Sequence, residues 1–260
     1  MSSVLEAFKI HLGKISVFVV LFLLTSYGHS TTLFSDNFNG SSLDTSQWAV
    51  LFGNSCISAS GGNLNLSGYY CYPSDADPEH KSIESTQTFS QGVSGITASA
   101  RINIGGDYQS FGFNRQSTLA SMAIYFDSYD NSLGANANTI RAFIYTANPT
   151  GTLLFNESIP VSWGAYHDFT INWLPSEIEF LIDGNLYKSF AYTTGNISLP
   201  VNIVNDRVPL MLVDSINITT YSNSVPEPNT IWLILAALPS FLFAMFRIRH
   251  LRLSVIIGQR

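Results

Sequence analysis

The stretch Phe169-Thr170-Ile171-Asn172-Trp173, followed by Ile178-Glu179-Phe180-Leu181-Ile182 and then Asp183-Gly184-Asn185, alternates apolar and polar side chains twice before offering a turn. A period of two sends successive side chains to opposite faces, which marks a half-buried strand rather than a helix. Asp and Gly both tolerate the positive φ that a tight hairpin demands, so the second strand is expected to fold back at Asp183-Gly184. Residues 96–104 repeat the alternation. Further strand candidates lie near 48–52, 63–67, 121–127, 140–146, 199–204 and 210–221, separated by turns rich in Gly, Asn and Pro. No helical stripe of useful length stands between the two ends of the chain. Many short strands with such turns predict an all-β sandwich or barrel.

The ends have a different character. Lys9 and Lys14 precede an apolar run over 15–24, and small residues follow at Gly28 and Ser30. That is the layout of a secretory signal cleaved after Ser30, an uncleaved N-terminal anchor being the alternative. At the other end, Val225-Pro226-Glu227-Pro228 is followed by sixteen apolar or small residues, 231–246, and then by Arg247, Arg249, His250 and Arg252. As a helix the run spans about 24 Å, slightly less than the ~30 Å hydrocarbon core. Thr230, Ile248 and a snorkelling Arg247 extend it. The basic cluster places the C-terminal side in the cytoplasm and everything before Val225 outside. The expected organisation is a signal peptide over 1–30, a β domain over 31–221, a linker with the Pro-Glu-Pro motif over 222–230, a transmembrane helix over 231–248 and a basic tail over 249–260.

Motif, span and basic tail, in that order, resemble the PEP-CTERM sorting signal of Gram-negative bacteria. The resemblance implies export, retention in the inner membrane through the C-terminal helix, and processing near 225–228 by a membrane transpeptidase of the exosortase type. The domain would then reside at the cell surface or outside the cell. The tail departs from the usual pattern by running on into Leu253-Ser254-Val255-Ile256-Ile257.

Residues 31–224 hold six lysines and arginines against sixteen aspartates and glutamates, a net of about −10. Such a balance excludes binding to a phosphate backbone, so no nucleic-acid partner is expected. About 190 residues suffice for one domain with a full core. In the oxidising compartment implied by the signal, Cys56 and Cys71 are expected to pair, two buried thiols being the alternative.

Three segments carry a second resemblance. Phe34-Ser35-Asp36-Asn37-Phe38, continuing to Leu43-Asp44-Thr45-Ser46-Gln47-Trp48, resembles the opening strand and turn of concanavalin A-like domains, nearest to glycoside hydrolase family sixteen and its non-catalytic cousins. Tyr166-His167-Asp168 leading into the strands quoted above resembles the same fold's aromatic-His, strand, Trp, strand, Asp-Gly unit. Pro209 to Ile218 resembles its closing strand. The resemblance implies a jelly-roll sandwich of two antiparallel sheets, one of them curved into a cleft.

A retaining glycosidase needs two carboxyl groups about 5–5.5 Å apart. In family sixteen they come from one strand, as Glu-x-Asp-x-Glu or with one extra residue before the second Glu. The matching segment here is Ser121-Met122-Ala123-Ile124-Tyr125-Phe126-Asp127-Ser128-Tyr129-Asp130. One register turns Met122, Ile124 and Phe126 to the cleft, and the other turns Ala123, Tyr125 and Asp127. Either way one carboxylate at most faces it, and Asp130 joins Asp127 only through a bulge. Family-type catalysis is therefore not expected. His80 and His167 stand in separate segments, and there is no Gly-x-Ser-x-Gly elbow or phosphate loop. The leading expectation is a non-catalytic glycan-binding or surface-matrix protein, the alternatives being a hydrolase of β-glucan-type polysaccharides and a structural or adhesive surface protein with no small ligand. An aromatic face matches the apolar face of a pyranose while polar neighbours reach its hydroxyls, so a polysaccharide partner is expected at Tyr125 and Asp127, with Phe143, Tyr145 and Trp163 as companions. Asp214 is read on the apolar face of Leu210, Leu212, Ile216 and Ile218. In the resembled fold the matching Asp holds a structural Ca²⁺ with oxygens from the opening strand, here near Asp36; a hydrogen-bonded carboxylate without metal is the alternative.

Overall fold

Alternation of apolar and polar side chains produces fifteen strands among the described residues. In a computed structural model of the chain, these are residues 30–67, 80–114, 120–128, 138–148, 152–206 and 209–222. The strands are β1 (Thr32–Asp36), β2 (Trp48–Phe52), β3 (Ile57–Ser60), β4 (Asn63–Leu66), β5 (Lys81–Phe89), β6 (Ile96–Asn103), β7 (Gln109–Phe113) and β8 (Ala120–Asp127). There follow β9 (Thr139–Asn148), β10 (Leu153–Pro160), β11 (Tyr166–Trp173), β12 (Glu177–Ile182), β13 (Asn185–Ala191), β14 (Leu199–Asn205) and β15 (Met211–Thr220).

The strands form two antiparallel sheets. One runs β13-β12-β11-β6-β15-β4-β3, with β1 also paired to β15; the other runs β10-β9-β8-β7-β14-β5-β2. Sequence neighbours fall repeatedly in opposite sheets, the crossover pattern of a jelly roll. The inner faces carry the core, including Trp48, Trp173, Phe111, Phe113, Phe126 and Phe169, each at most 2% exposed. Ser30–Tyr221 is one compact unit. Its two ends meet: the Thr31 N–H donates to Thr220 Oγ1 at 2.8 Å, and the Thr220 N–H donates to the Thr31 carbonyl at 2.9 Å.

The hairpin expected at Asp183-Gly184 joins β12 to β13, with Ile182 opposite Asn185. Both turn residues have positive φ, 51° and 75°, as a type I′ turn requires. Where β10 and β13 edge the two sheets, Phe155 stacks on Phe180 at 6.1 Å and Lys188 Nζ meets Glu157 Oε2 at 3.2 Å.

Asp214 differs from its expected setting. The pairing of β15 with β6 shifts register between Val213 and Ser215, which makes Asp214 the extra residue of a β-bulge. The bulge resets the alternation, so the core face is Met211, Val213, Ile216 and Ile218 rather than 210, 212, 214, 216 and 218. Asp214 faces outward, with Oδ2 3.8 Å from Arg101 Nε. Asp36 lies on the inner side of β1, where its carboxylate accepts the Phe38 N–H at 2.8 Å and the indole N–H of buried Trp48 at 2.8 Å. The two side chains therefore serve opposite sides of the sheet and do not form the calcium set expected of them. Among the described residues no group of three or more His, Cys, Asp or Glu is arranged to hold a metal.

The signal peptide, Cys71, Val225-Pro226-Glu227-Pro228, the span over 231–248 and the basic tail lie outside the described residues. Among the described residues no helix is long and apolar enough to cross a membrane.

Candidate functional site on the outer face of the seven-stranded sheet

Of the two registers open to β8, the structure adopts the second. Met122, Ile124 and Phe126 enter the core at 2% exposure or less, so Ala123, Tyr125 and Asp127 face outward. On β9 the residues Ile140, Ala142 and Ile144 enter the core, which turns Arg141, Phe143 and Tyr145 out. Antiparallel pairing then sets Ala123 opposite Tyr145, Tyr125 opposite Phe143, and Asp127 opposite Arg141.

Directly opposed pairs and their diagonals are within reach of aromatic side chains. Tyr125 and Phe143 lie 5.4 Å apart, centroid to centroid, with planes 23° apart. Phe143 and Tyr145 are 5.9 Å and 19° apart, and Tyr125 and Tyr145 are 6.3 Å and 13° apart. Three similar separations describe a triangle, so the rings tile a patch instead of forming a column. Phe143, at 5% exposure, is the covered member, while the two tyrosines remain half-buried.

Space for this cluster comes from the neighbouring strand. Gly112 stands opposite Tyr125. A Cβ there would sit 2.3 Å from the Ile124 carbonyl oxygen and 2.6 Å from Tyr125 Cβ. A glycine inside a strand marks such a close approach.

The patch carries polar groups at its border. Arg141 Nη1 donates to Asn156 Oδ1 on β10 at 3.3 Å. Burial, followed by the charge of Asp127 and the neighbouring Tyr145, pushes the Tyr125 phenol far above its ordinary acidity. The Tyr145 phenol is also raised, by burial and by Asp127, against an opposing effect of Arg141. Both phenols therefore stay protonated. They serve as hydrogen-bond donors and not as tyrosinate nucleophiles.

The structure thus brings together four of the five residues expected to bind ligand: Tyr125, Asp127, Phe143 and Tyr145. Trp163 is elsewhere. It sits in the connection from β10 to β11, where its ring packs against the core and its backbone N–H donates to Asn138 Oδ1 at 3.3 Å. Arg141 and Asn156 were missed as border residues. Arg141 was recoverable, since it precedes Phe143 and Tyr145 on the same face at the strand period; Asn156 has no such signal.

Hydrolytic arrangements do not assemble on the described face. The outward positions of β8 provide one carboxylate, Asp127. Another outward carboxylate, Glu84 on β5, is 8% exposed and shares a cross-sheet row with Asn202, Gly112 and Tyr125. Three strand spacings separate β5 from β8, roughly 14 Å, well beyond the ~5–9.5 Å between carboxyl pairs in glycosidases. A Ser-His-Asp alignment does exist at one end of the sandwich. His167 Nδ1 is 2.7 Å from Asp183 Oδ2, and Nε2 is 3.4 Å from Ser162 Oγ. Nε2 is nearer the Ser162 carbonyl oxygen, at 3.1 Å. The Ser162 Oγ contact, at 3.4 Å, is the longest the ring makes in this trio. The trio braces the Asp183-Gly184 turn, with Asp183 Oδ1 also accepting the Asp168 N–H at 2.9 Å.

The pattern described as "Glycosyl hydrolases family 16" matches residues 126–220, the closing half of the domain. No curated protein matches the chain. Solved structures match over most of the domain. A Bacillus licheniformis beta-glucanase is 15% identical, with 75% of this chain and 99% of that one covered at a TM-score of 0.55. A pseudo beta-1,3-glucanase of Mycobacterium tuberculosis, also described as an immunostimulatory antigen, is 18% identical, with 74% and 99% covered at 0.53. A beta-1,3-glucanase from Mycobacterium marinum is 17% identical, with 72% and 98% covered at 0.52. At these identities the likeness speaks for the fold. The chain folds as a concanavalin A-like jelly roll similar to family 16 glycoside hydrolases.

Proposed function

We propose that this protein is an exported, membrane-tethered β-sandwich that binds polysaccharide through the outer face of its seven-stranded sheet without cleaving it. The observation that carries this reading is the β8 face itself: Ala123, Tyr125 and Asp127 present one carboxylate beside three tiled aromatic rings. Such a face stacks on sugar rings and donates hydrogen bonds to their hydroxyls, and its described residues do not pair an acid with a nucleophile for glycoside hydrolysis. The likeness to structures described as beta-glucanases supports a β-glucan-type ligand. That to a pseudo beta-1,3-glucanase supports retention of the fold without the chemistry.

The sequence supports the location. The signal layout over 1–30 directs export, and the Pro-Glu-Pro motif, apolar run and basic tail direct the chain to the inner membrane and an exosortase-type transpeptidase. Cys56 and Cys71 pair in that compartment.

The test is glycan-array binding of the purified full chain together with a reducing-end assay on laminarin, agar and carrageenan. Binding without release of reducing ends is expected. Steady turnover of any of the three would establish a hydrolase instead. Absence of any glycan binding would favour a structural or adhesive surface protein.

A further inference from the structure

We propose that the pocket formed by the connection from β1 to β2 is a second carbohydrate site, which holds a single neutral sugar residue apart from the aromatic patch. This inference goes beyond the sheet-face reading and does not depend on it.

The connection encloses a cavity of about 210 Å³ against Ala59 of β3. A cavity of about 150 Å³ admits benzene, and pockets for drug-sized ligands begin near ~300 Å³. The size therefore suits one six-membered sugar ring and not a longer oligosaccharide. Two carboxylates stand in its wall, Asp36 and Asp44. Asp36 accepts the Phe38 N–H and the Trp48 indole N–H, each at 2.8 Å. Asp44 accepts the Ser46 N–H at 2.9 Å, the Ser46 hydroxyl at 2.6 Å and the Gln47 amide at 2.8 Å. These bonds fix both carboxylates in place. They still leave a lone pair on each Asp36 oxygen and on Asp44 Oδ2, each able to accept a strong hydrogen bond from a sugar hydroxyl.

The neutral part of the wall is Asn37, Asn39, Ser42 and Gln47. Phe38 has a φ of 51°, which turns its ring into the core at 2% exposure and leaves Asn37 and Asn39 exposed on either side of it. Asn39 is seated against the β3–β4 turn, where a Cβ on Gly62 would lie 3.1 Å from its Oδ1. Among the described residues, the Asn39 side-chain amide, Asn37 Nδ2, the Ser42 hydroxyl and Gln47 Oε1 make no hydrogen bond to the rest of the protein. They set donors beside acceptors, which is the pattern that vicinal sugar hydroxyls, each a donor and an acceptor, satisfy. Among the described residues no lysine, arginine or histidine lines the cavity, so an anionic ligand finds no cationic partner there. The pocket is also remote from the patch. β3 ends the eight-stranded sheet on one side, whereas the patch lies toward β10, which meets β13 at that sheet's other end.

The experiment is saturation-transfer NMR on the purified full chain with D-glucose, D-galactose, D-mannose and N-acetyl-D-glucosamine. At least one of the four is expected to bind with about millimolar affinity, which a handful of net hydrogen bonds supplies. Ser42→Tyr, which fills the cavity from an exposed position, should abolish that transfer. Asn39→Ala should weaken it about fivefold, and Tyr145→Ala should leave it in place. Transfer that survives Ser42→Tyr and Asn39→Ala but vanishes in Tyr145→Ala would belong to the sheet face, overturning the pocket and leaving the glycan-binding reading standing. Absence of transfer to all four sugars would overturn the pocket as well. So would a calcium-induced rise in the unfolding midpoint that is lost in Asp44→Asn, with no sugar bound.

Discussion

Tyr145 and Phe143 are two residues apart on one strand and have separate tasks. Tyr145 is half-buried beside Asp127 and presents the accessible ring, whereas Phe143 is covered and keeps the tyrosines nearly parallel. Tyr145→Ala is expected to weaken glycan binding about tenfold while leaving the unfolding midpoint close to wild type. Phe143→Ala should cost about 3 kcal/mol of stability, as truncation of a buried Phe does. Calorimetric titration and urea denaturation separate the two effects. Asp183 sets a pH dependence. Burial acts to raise its carboxyl, but the Asp168 N–H, the hydrogen bond and charge of His167, and Arg101 outweigh burial and hold it below the ordinary aspartate value. Its contribution is therefore complete above the unfolded value, near pH 4, and is lost as pH falls through the lower folded value. Asp183→Asn retains a residue that accepts positive φ and should flatten the acid limb of Tm measured from about pH 6 down to about pH 2. An unchanged acid limb would refute that role.

At the scale of elements, β7 and β8 decide whether the patch exists. Gly112→Ala would drive a methyl into the backbone of β8, and overpacking of this kind costs about 1–3 kcal/mol. The variant should also lose glycan binding, because Tyr125 can no longer lie where it does; chemical denaturation and the same titration report both. The strands that were legible in the sequence have clean alternation. Tyr166–Trp173 and Glu177–Ile182 each carry an apolar set on one face. Lys81–Phe89 escaped because polar residues line both of its faces, with Lys81, Ser82, Glu84 and Ser85 all buried. Such residues are inside only because partners elsewhere in the chain receive them, as Ser85 Oγ accepts the Val201 N–H at 2.9 Å. The Asp214 setting escaped for a different reason: a bulge depends on the partner strand, and no one-strand pattern reveals it.

For the whole molecule, the proposed Cys56–Cys71 link closes a loop of about 15 residues, worth about 3 kcal/mol in the chain-entropy model. Reduction of the purified protein should lower its unfolding free energy by about that amount and raise its mass by about 2 Da. Unchanged stability and mass would show that the thiols are free. By itself, the amino-acid sequence determined the all-β class, the Asp183-Gly184 hairpin, and that β8 turns at most one carboxylate to either face. These follow from local periodicity and turn chemistry, which operate over a few neighbouring residues. Only the tertiary structure decided which face of β8 is outward, which rings meet there, and that Trp163 and Asp214 stand apart from their expected companions. Those outcomes depend on strand register and sheet order, and register is set by contacts between segments that lie far apart along the chain.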